Sequence, residues 1–322
     1  MMHKIVVLDR PRENPGELDW SPLFQLGEVS FYDFTPKDLL EERIGDADIV
    51  IINSCPMRAE ILEKCPSIRF ISTISTGYDL IDIAKCSELG ITVSNVPSYG
   101  TEALSQQAVA LLMELTNRVA YHDQEVRKGR TNTPTDWSFW DYPTMELEGK
   151  TAGIIGLGRI GKCTARIMEA FGMKVLAFNR SHDESWETSN RRYVPLDTLL
   201  QQSDVVFLHC PLNESSYHII NSETIARMKK GAIIINNGRG ALIDSTALAN
   251  ALKTGYLAGA GLDTLEHEPP EPDDPLLRAP NCYITPHISW AALECRQRLM
   301  HTTIENVKAF IDGNPQNTVT RA

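Results

Sequence analysis

The sequence predicts an α/β protein of two doubly wound parallel-sheet domains, one inserted into the other. Three observations predict it. Short, continuously apolar runs alternate with helix-period segments, the pattern of parallel βαβ units whose sheets are covered on both faces. Midway along the chain, Gly156-Leu-Gly-Arg-Ile-Gly161 separates an apolar run from a helical stretch. After the last apolar run comes a helical segment long enough to return to the N-terminal part.

In order, residues 4–9, 29–32, 48–53, 69–74 and 92–94 read as strands. Between them lie helices at 36–44, opened by Thr35 as cap and Pro36 at the first position, at 58–64, and at 81–89, closed by Gly90. Residues 101–128 form one long helical stretch whose middle, 108–115, is apolar nearly all round and is expected to be buried where two domains meet. An aromatic-rich loop follows, Asp136-Trp-Ser-Phe-Trp-Asp-Tyr-Pro143. Six further strands are expected at 152–155, 174–178, 204–208, 232–235, 257–262 and 282–285. The helices among them fall near 159–171, 196–202, 222–228 and 244–254, and a last helix at 289–311.

The glycine turn has the G-x-G-x-x-G spacing of a dinucleotide fingerprint, in the strand–turn–helix context that such a fingerprint requires. Gly156 makes the turn, Gly158 lets backbone approach a pyrophosphate, and Gly161 lets the helix lie close to the strand. The helix N-terminus then offers N–H groups and a positive dipole end to phosphate. These elements place a dinucleotide-binding domain at 100–289 within a first domain made of 1–99 and 290–322. The cleft between two such domains is the natural place for a substrate.

The bulk numbers exclude several classes of function. A net charge of −11 over 322 residues, with no basic patch, argues against a nucleic-acid partner. No apolar run approaches the roughly 20 residues of a membrane span. The seven cysteines (55, 65, 86, 163, 210, 282, 295) are scattered without metal-ligand or redox spacing and fit a reducing compartment, hence the cytoplasm.

Three strand ends carry candidates for chemistry. Asn236-Asn-Gly-Arg-Gly240 places Arg239 where ligands bind in open α/β sheets, and a guanidinium there can clamp a carboxylate or else satisfy carbonyls of a tight turn. Asp263-Thr-Leu-Glu-His-Glu-Pro269 opens an acidic, proline-rich loop; most of its carboxylates read as solvated, and only one needs to turn inward. Thr285-Pro-His-Ile288 places His287 at the end of the last strand, as a packed, capping or catalytic residue. Together, arginine, carboxylate and histidine beside a nicotinamide meet the needs of hydride transfer to a 2-keto acid. That reaction takes a cation for the acid, a proton donor for the oxygen, and a carboxylate that keeps the donor protonated.

These motifs resemble the D-isomer-specific 2-hydroxyacid dehydrogenases over nearly the whole chain. The resemblance rests on Ser75-Thr-Gly-Tyr-Asp79, the fingerprint, His209-Cys-Pro-Leu212, Asn236 to Gly240, Asp263 to Pro269, and Pro286-His-Ile-Ser-Trp290. Within the family, the aromatic segment and Pro286 to Trp290 look most like the glycerate dehydrogenase, or hydroxypyruvate reductase, branch. The resemblance implies a Rossmann domain inserted into a flavodoxin-like substrate domain, and a homodimer. It implies that Arg239 binds and polarises the keto acid, that His287 is the acid/base, that Glu268 is its partner, and that the Thr76 and Gly77 amides hold the substrate carboxylate. Cofactor contacts are implied for Thr76, Gly156, Gly158, Arg159, Ile160, Gly161, Asn179, Arg180, Ser181, Cys210, Asn237, Gly238, Asp263 and Ser289. Trp137 and Trp140 are expected to border the substrate or, equally, to serve only a dimer interface.

Two positions depart from the pattern. Asn179 stands where an acidic residue binds the ribose of NAD, and with Arg180 and Ser181 it tilts the expectation toward NADP(H) over NAD(H). Gln106-Gln107 replaces an acidic–basic pair, to no evident consequence. The leading expectation is an NAD(P)H-dependent reductase of hydroxypyruvate, glyoxylate or a similar small 2-keto acid that uses no metal. The alternative is a dinucleotide-sensing scaffold like the corepressors of the same superfamily.

Overall fold

The structure, a computed structural model, describes residues 2–10, 17–130, 135 and 137–320. Asp136, at the head of the aromatic segment, lies outside the described residues. The chain parts into two compact units, Met1–Gly100 with Ala291–Ala322, and Thr101–Trp290.

The first unit holds five parallel strands, β1 (His3–Val7), β2 (Gly27–Phe31), β3 (Ile49–Ile52), β4 (Phe70–Thr73) and β5 (Thr92–Ser94), in the order β2-β1-β3-β4-β5. Side chains alternate across a strand, so the apolar runs serve two cores. Val6, Leu8, Val50, Ile52 and Ile71 pack with helices α1 (Leu40–Ile44), α2 (Ala59–Lys64) and α3 (Ile83–Glu88). Ile5, Val7, Ile49, Ile51 and Phe70 pack with the C-terminal helix Leu293–Ile311, where Phe70 and Phe310 stack at 4.5 Å. In this strand order the ligand crevice is expected between β1 and β3. The chain fills it with its own anion. Asp9, 3% exposed, accepts from the Asn53 amide at 2.8 Å, the Ser54 hydroxyl at 2.6 Å and the Ser54 amide.

Seven parallel strands make the second sheet: β6 (Thr151–Ile155), β7 (Lys174–Phe178), β8 (Arg191–Tyr193), β9 (Val205–Leu208), β10 (Ile233–Asn236), β11 (Gly259–Leu262) and β12 (Cys282–Ile284). Their order, β12-β11-β10-β9-β6-β7-β8, is the dinucleotide-binding order with one strand added. The order reverses between β6 and β9, so the fingerprint and the His209-Cys210 turn flank the switch point. Helices α4 (Thr101–Asn117), α5 (Val119–Arg127), α6 (Arg159–Ala170), α7 (Leu196–Gln202), α8 (Ser222–Arg227) and α9 (Ser245–Lys253) complete the unit.

Five expectations are corrected. The second sheet has seven strands, not six, because Arg191-Arg-Tyr193 pairs at the edge of β7 without any apolar run to announce it. The long helix is two, α4 and α5, broken at Arg118 in the left-handed region (φ 53°). Its apolar middle is buried within its own unit. Ala108, Leu111, Leu112 and Leu115 pack with Ile154, Phe207, Ile233 and Ile235. Pro36 precedes a 3-10 turn, Lys37–Leu39, rather than opening an α-helix, and the Thr35 hydroxyl donates to the Leu8 carbonyl instead of capping. The last helix starts at Leu293, not Ser289, because the backbone at Ala292, its N-cap, is non-helical (φ −56°, ψ 138°).

Candidate active site

The carboxyl ends of β10, β11 and β12 build the site. After β10, the fully buried Asn236 closes the turn with its own amide, donating to the Arg239 carbonyl at 2.9 Å and accepting from the Gly238 N–H at 3.1 Å. Arg239 is thereby presented half-buried, one terminal nitrogen donating to the Gly238 carbonyl at 3.1 Å. The next residue must be glycine, since a Cβ at Gly240 would sit 1.9 Å from the Leu265 carbonyl carbon. The Arg239 turn therefore lies directly on the loop that follows β11.

That loop begins with Asp263, 1% exposed, whose carboxylate organises the segment after β12. It accepts from the Thr285 hydroxyl at 2.5 Å, the Ile288 amide at 2.9 Å and the Ser289 amide at 2.8 Å. His287 is held at a positive φ of 53°, rare for a side chain of this size. The surroundings over-determine it: its N–H donates to the Asp263 and Thr285 carbonyls at 2.9 Å each, and its carbonyl accepts from the Trp290 indole at 2.7 Å. In that pose the imidazole Nδ1 meets Glu268 Oε2 at 2.8 Å, while Glu268 Oε1 accepts from the Leu265 amide at 3.1 Å.

The pair tunes itself. The hydrogen bond to Glu268 raises the His287 imidazole above its ordinary value; burial works against this, the Glu268 and Asp263 charges add to it, and Arg239 pulls it down. Burial alone would raise the Glu268 carboxyl. The His287 hydrogen bond and charge, the Leu265 amide and Arg239 outweigh burial and hold it below the usual range. Both shifts favour a carboxylate paired with an imidazolium, with Nε2 of His287 on the far side of the ring from Glu268. Such an arrangement can donate a proton. His209 cannot do the same work, because burial pushes it down to about 4 and its Nε2 meets the Thr164 hydroxyl at 3.0 Å.

At the switch point, Gly156 has φ +97° and a Cβ there would lie 2.3 Å from the Cys210 amide; one at Gly161 would lie 2.3 Å from the Gly156 carbonyl oxygen. Both glycines are demanded by the chain itself. Gly158 is not, since a Cβ there meets no protein atom within 4 Å. It is also the uncapped N-cap of α6, so the amides of Arg159, Ile160 and Gly161 are oriented for an anion. Asn237, 3% exposed, donates to the Leu104 carbonyl at 2.7 Å and the Ser289 hydroxyl at 3.2 Å, leaving its buried Oδ1 without a partner among the described residues. A pyrophosphate-bearing dinucleotide fits these features.

The Asn179 side chain accepts from the Leu157 amide at 3.2 Å and donates to the Ser181 carbonyl at 2.7 Å, so it shapes the turn after β7. Arg180 beside it is exposed and makes no ion pair among the described residues. Asp263, implied as a cofactor contact, has both oxygens engaged by residues 285–289. In the first unit, the Thr76 hydroxyl donates to the Val96 carbonyl at 2.7 Å and Asn95 donates to the Thr76 carbonyl at 2.7 Å. The Thr76 and Gly77 amides donate to no acceptor among the described residues. In the aromatic segment, Phe139 lies under Arg130 at 3.8 Å and Tyr142 meets Tyr121 at 5.1 Å, while Trp137 and Trp140 are each 72% exposed.

Sequence reasoning missed the anchoring roles of Asp263 and Trp290 and treated Glu266 as solvated. Glu266 turns inward to Tyr217 and His218, at 3.0 and 3.1 Å. Asp274 likewise is not merely solvated; it caps the turn Pro275–Arg278.

Residues 109–289 match the family model of the D-isomer specific 2-hydroxyacid dehydrogenase NAD binding domain. The chain is 51% identical to the hydroxypyruvate reductase of Blautia hydrogenotrophica over 99% of its own length and 100% of that protein. It is 37% identical to the glycerate dehydrogenase of Methylorubrum extorquens, over 99% of each. Among solved structures, D-lactate dehydrogenase from Aquifex aeolicus, complexed with NAD and lactic acid, superposes with a TM-score of 0.87 at 29% identity over 99% of each chain. These likenesses remove the reason to read the chain as a scaffold. The chain belongs to the D-isomer-specific 2-hydroxyacid dehydrogenases, on their hydroxypyruvate reductase and glycerate dehydrogenase branch, and is an enzyme that interconverts a 2-keto acid and its 2-hydroxy acid with a nicotinamide dinucleotide.

Proposed function

We propose that the enzyme reduces hydroxypyruvate, glyoxylate or a similarly small 2-keto acid to the D-2-hydroxy acid, with His287 as proton donor. The observation that carries the reading is the 2.8 Å His287–Glu268 contact, which keeps an imidazolium available beside Arg239. Reduced nicotinamide, when bound, supplies the hydride. Arg239 binds the keto acid and polarises its carbonyl, and the Thr76 and Gly77 amides hold the carboxylate. His287 delivers its Nε2 proton to the oxygen that becomes the hydroxyl, and Glu268 stabilises the cation beforehand and orients the ring. The dinucleotide is held by the Gly156 to Gly161 turn, the Arg159 and Ile160 amides, Cys210, Asn237, Gly238 and Ser289, with Thr76 and Asp263 contributing. Nicotinamide absorbance with a panel of 2-keto acids and each cofactor in turn tests the reading. Failure to turn over any small 2-keto acid would refute it.

The preferred cofactor is NADP(H). Asn179 carries no charge to repel a 2′-phosphate, Arg180 is an exposed cation suited to contact it, and Ser181 offers a further hydroxyl. Arg180→Ala is expected to lower kcat/KM for NADPH roughly 10–100-fold, the worth of one charge-assisted hydrogen bond, with little change for NADH. A wild-type preference for NADH that the substitution leaves untouched overturns the assignment.

Trp140, with Trp137, borders the substrate. Two indoles left 72% exposed while Phe139 and Tyr142 hold the segment down form a surface with something left to contact. Trp140→Ala or Trp137→Ala is expected to change the ratio of kcat/KM for glyoxylate to that for hydroxypyruvate by about 10-fold, as loss of one apolar contact does in a pocket. A ratio unchanged in both variants leaves the pair to the homodimer interface alone. Among the described residues no helix is long and apolar enough to cross a membrane. The free cysteines at 55, 65, 86, 163, 210, 282 and 295 fit a cytoplasmic enzyme.

A further inference from the structure

Beside the His287–Glu268 pair the structure builds a second histidine–carboxylate cluster that the reaction does not use. It lies in residues 211–220, the loop after β9. Tyr217 and His218 stack face to face, centroids 3.9 Å apart, and both bond one oxygen of Glu266, Tyr217 through its hydroxyl at 3.0 Å and His218 through Nε2 at 3.1 Å. The Glu266 bond holds the Tyr217 hydroxyl above its ordinary range, with the Asp244 charge adding to it. His218 is held at a positive φ of 47°, and its N–H donates to the Ala241 carbonyl at 2.9 Å. Two residues on, the Ile220 N–H donates to the Leu242 carbonyl at 3.0 Å.

The contacts form a closed ring of three loops. Residues 211–220 are fastened to 241–242, the turn that follows Arg239. That turn rests on the Leu265–Glu266 peptide through Gly240, where a Cβ would lie 2.3 Å from the Glu266 nitrogen. Glu266 closes the ring by reaching back to Tyr217 and His218. Within the same turn, Leu265 is buried in the core and its amide holds Glu268 Oε1. Any tilt of the 265–268 turn therefore moves Glu268 relative to the imidazole.

We propose that Glu266, clamped by Tyr217 and His218, is a positioning residue that fixes the turn presenting Glu268 to His287. It touches neither substrate nor cofactor in this role and acts through Glu268. The groups that face His287 are Glu268, Asp263 and Arg239, and those that face the clamp are Asp244 and the Tyr217–His218 pair. Loosening the clamp weakens the His287–Glu268 bond, which contributes most to holding the imidazole protonated, and leaves the opposing Arg239 charge in place.

The inference rests on His287 being the proton donor, so the test includes that residue. The measurement is kcat for keto-acid reduction against pH in wild type, His287→Ala, Glu266→Ala, Glu266→Gln and the double variant Tyr217→Phe, His218→Asn. Asparagine tolerates the left-handed backbone at 218. In Glu266→Ala the alkaline limb is expected to move down by about one pH unit, the scale of one lost charge-assisted hydrogen bond, with the dinucleotide Kd unchanged. Glu266→Gln, which keeps an acceptor for both partners, should restore most of the shift. The double variant should reproduce it with the Glu266 side chain intact. If wild type shows the limb, His287→Ala abolishes it, and Glu266→Ala and the double variant leave it where it was, the Glu266 proposal is wrong and the proton-donor assignment stands. A limb retained in His287→Ala overturns both.

Discussion

Replacing His287 by alanine is expected to lower kcat for keto-acid reduction by about 10²–10⁴, or roughly 3–5 kcal/mol of transition-state stabilisation, the worth of a positioned general acid. Dinucleotide affinity should hardly change, because the fingerprint turn and α6 do not involve the imidazole. The pH dependence follows from the direction of the shift. His287 is raised chiefly by its hydrogen bond to Glu268, and in the proposed mechanism reduction consumes the protonated form. Reduction is therefore at full rate below the raised value and declines as pH rises through it. Oxidation of the hydroxy acid, which needs the neutral ring as base, has the opposite limb. Glu268→Gln should move the limb of reduction downward without abolishing turnover, since the amide keeps a hydrogen bond but loses the charge. Near-normal turnover by His287→Ala at neutral pH would show that the proton comes from elsewhere.

What was legible in the sequence is what local chemistry writes there. Gly156 and Gly161 are imposed by contacts with neighbouring backbone, and Gly158 by what the uncapped helix end accepts, so their spacing carries across the fold. Continuous apolar runs announced the strands buried on both faces at β3, β9 and β10. The edge strand Arg191–Tyr193 has no such run and was invisible. The break at Arg118 was hidden for another reason. An arginine in the left-handed region is held there by partners far along the chain, Tyr283 and Asn281, each 2.8 Å from its guanidinium. Glu268 and Glu266 illustrate the same limit. Both stand in one acidic loop beside His267, and nothing local separates them from Glu271 or Asp273. Resemblance picked out Glu268; Glu266 takes its meaning from Tyr217 and His218, which lie 49 and 48 positions upstream. Asp263 was expected at the cofactor, and its carboxylate also gathers the Thr285, Ile288 and Ser289 donors that hold His287 in its unusual backbone pose.

Arg239→Ala is expected to damage kcat and KM together, and that split distinguishes it from His287→Ala. A guanidinium that binds the keto acid does so before and during hydride transfer, so its removal weakens ground state and transition state alike. Two charge-assisted hydrogen bonds are worth about 3–6 kcal/mol, or roughly 10²–10⁴ in kcat/KM. Arg239→Lys keeps the charge without the planar fork and should recover part of KM but little of kcat. A second signature comes from the electrostatics of the pair. The Arg239 charge depresses both His287 and Glu268, so its loss lets the imidazole rise further. The alkaline limb of the residual reduction should then move to higher pH, opposite to the shift expected when the Glu266 clamp is cut. The Asn236 side chain closes the turn through the backbone at 238 and 239, so the loop survives loss of the guanidinium and both variants should fold. An Arg239→Ala enzyme with unchanged KM for the keto acid and an unmoved limb would show that the guanidinium neither binds the substrate nor shares a field with His287.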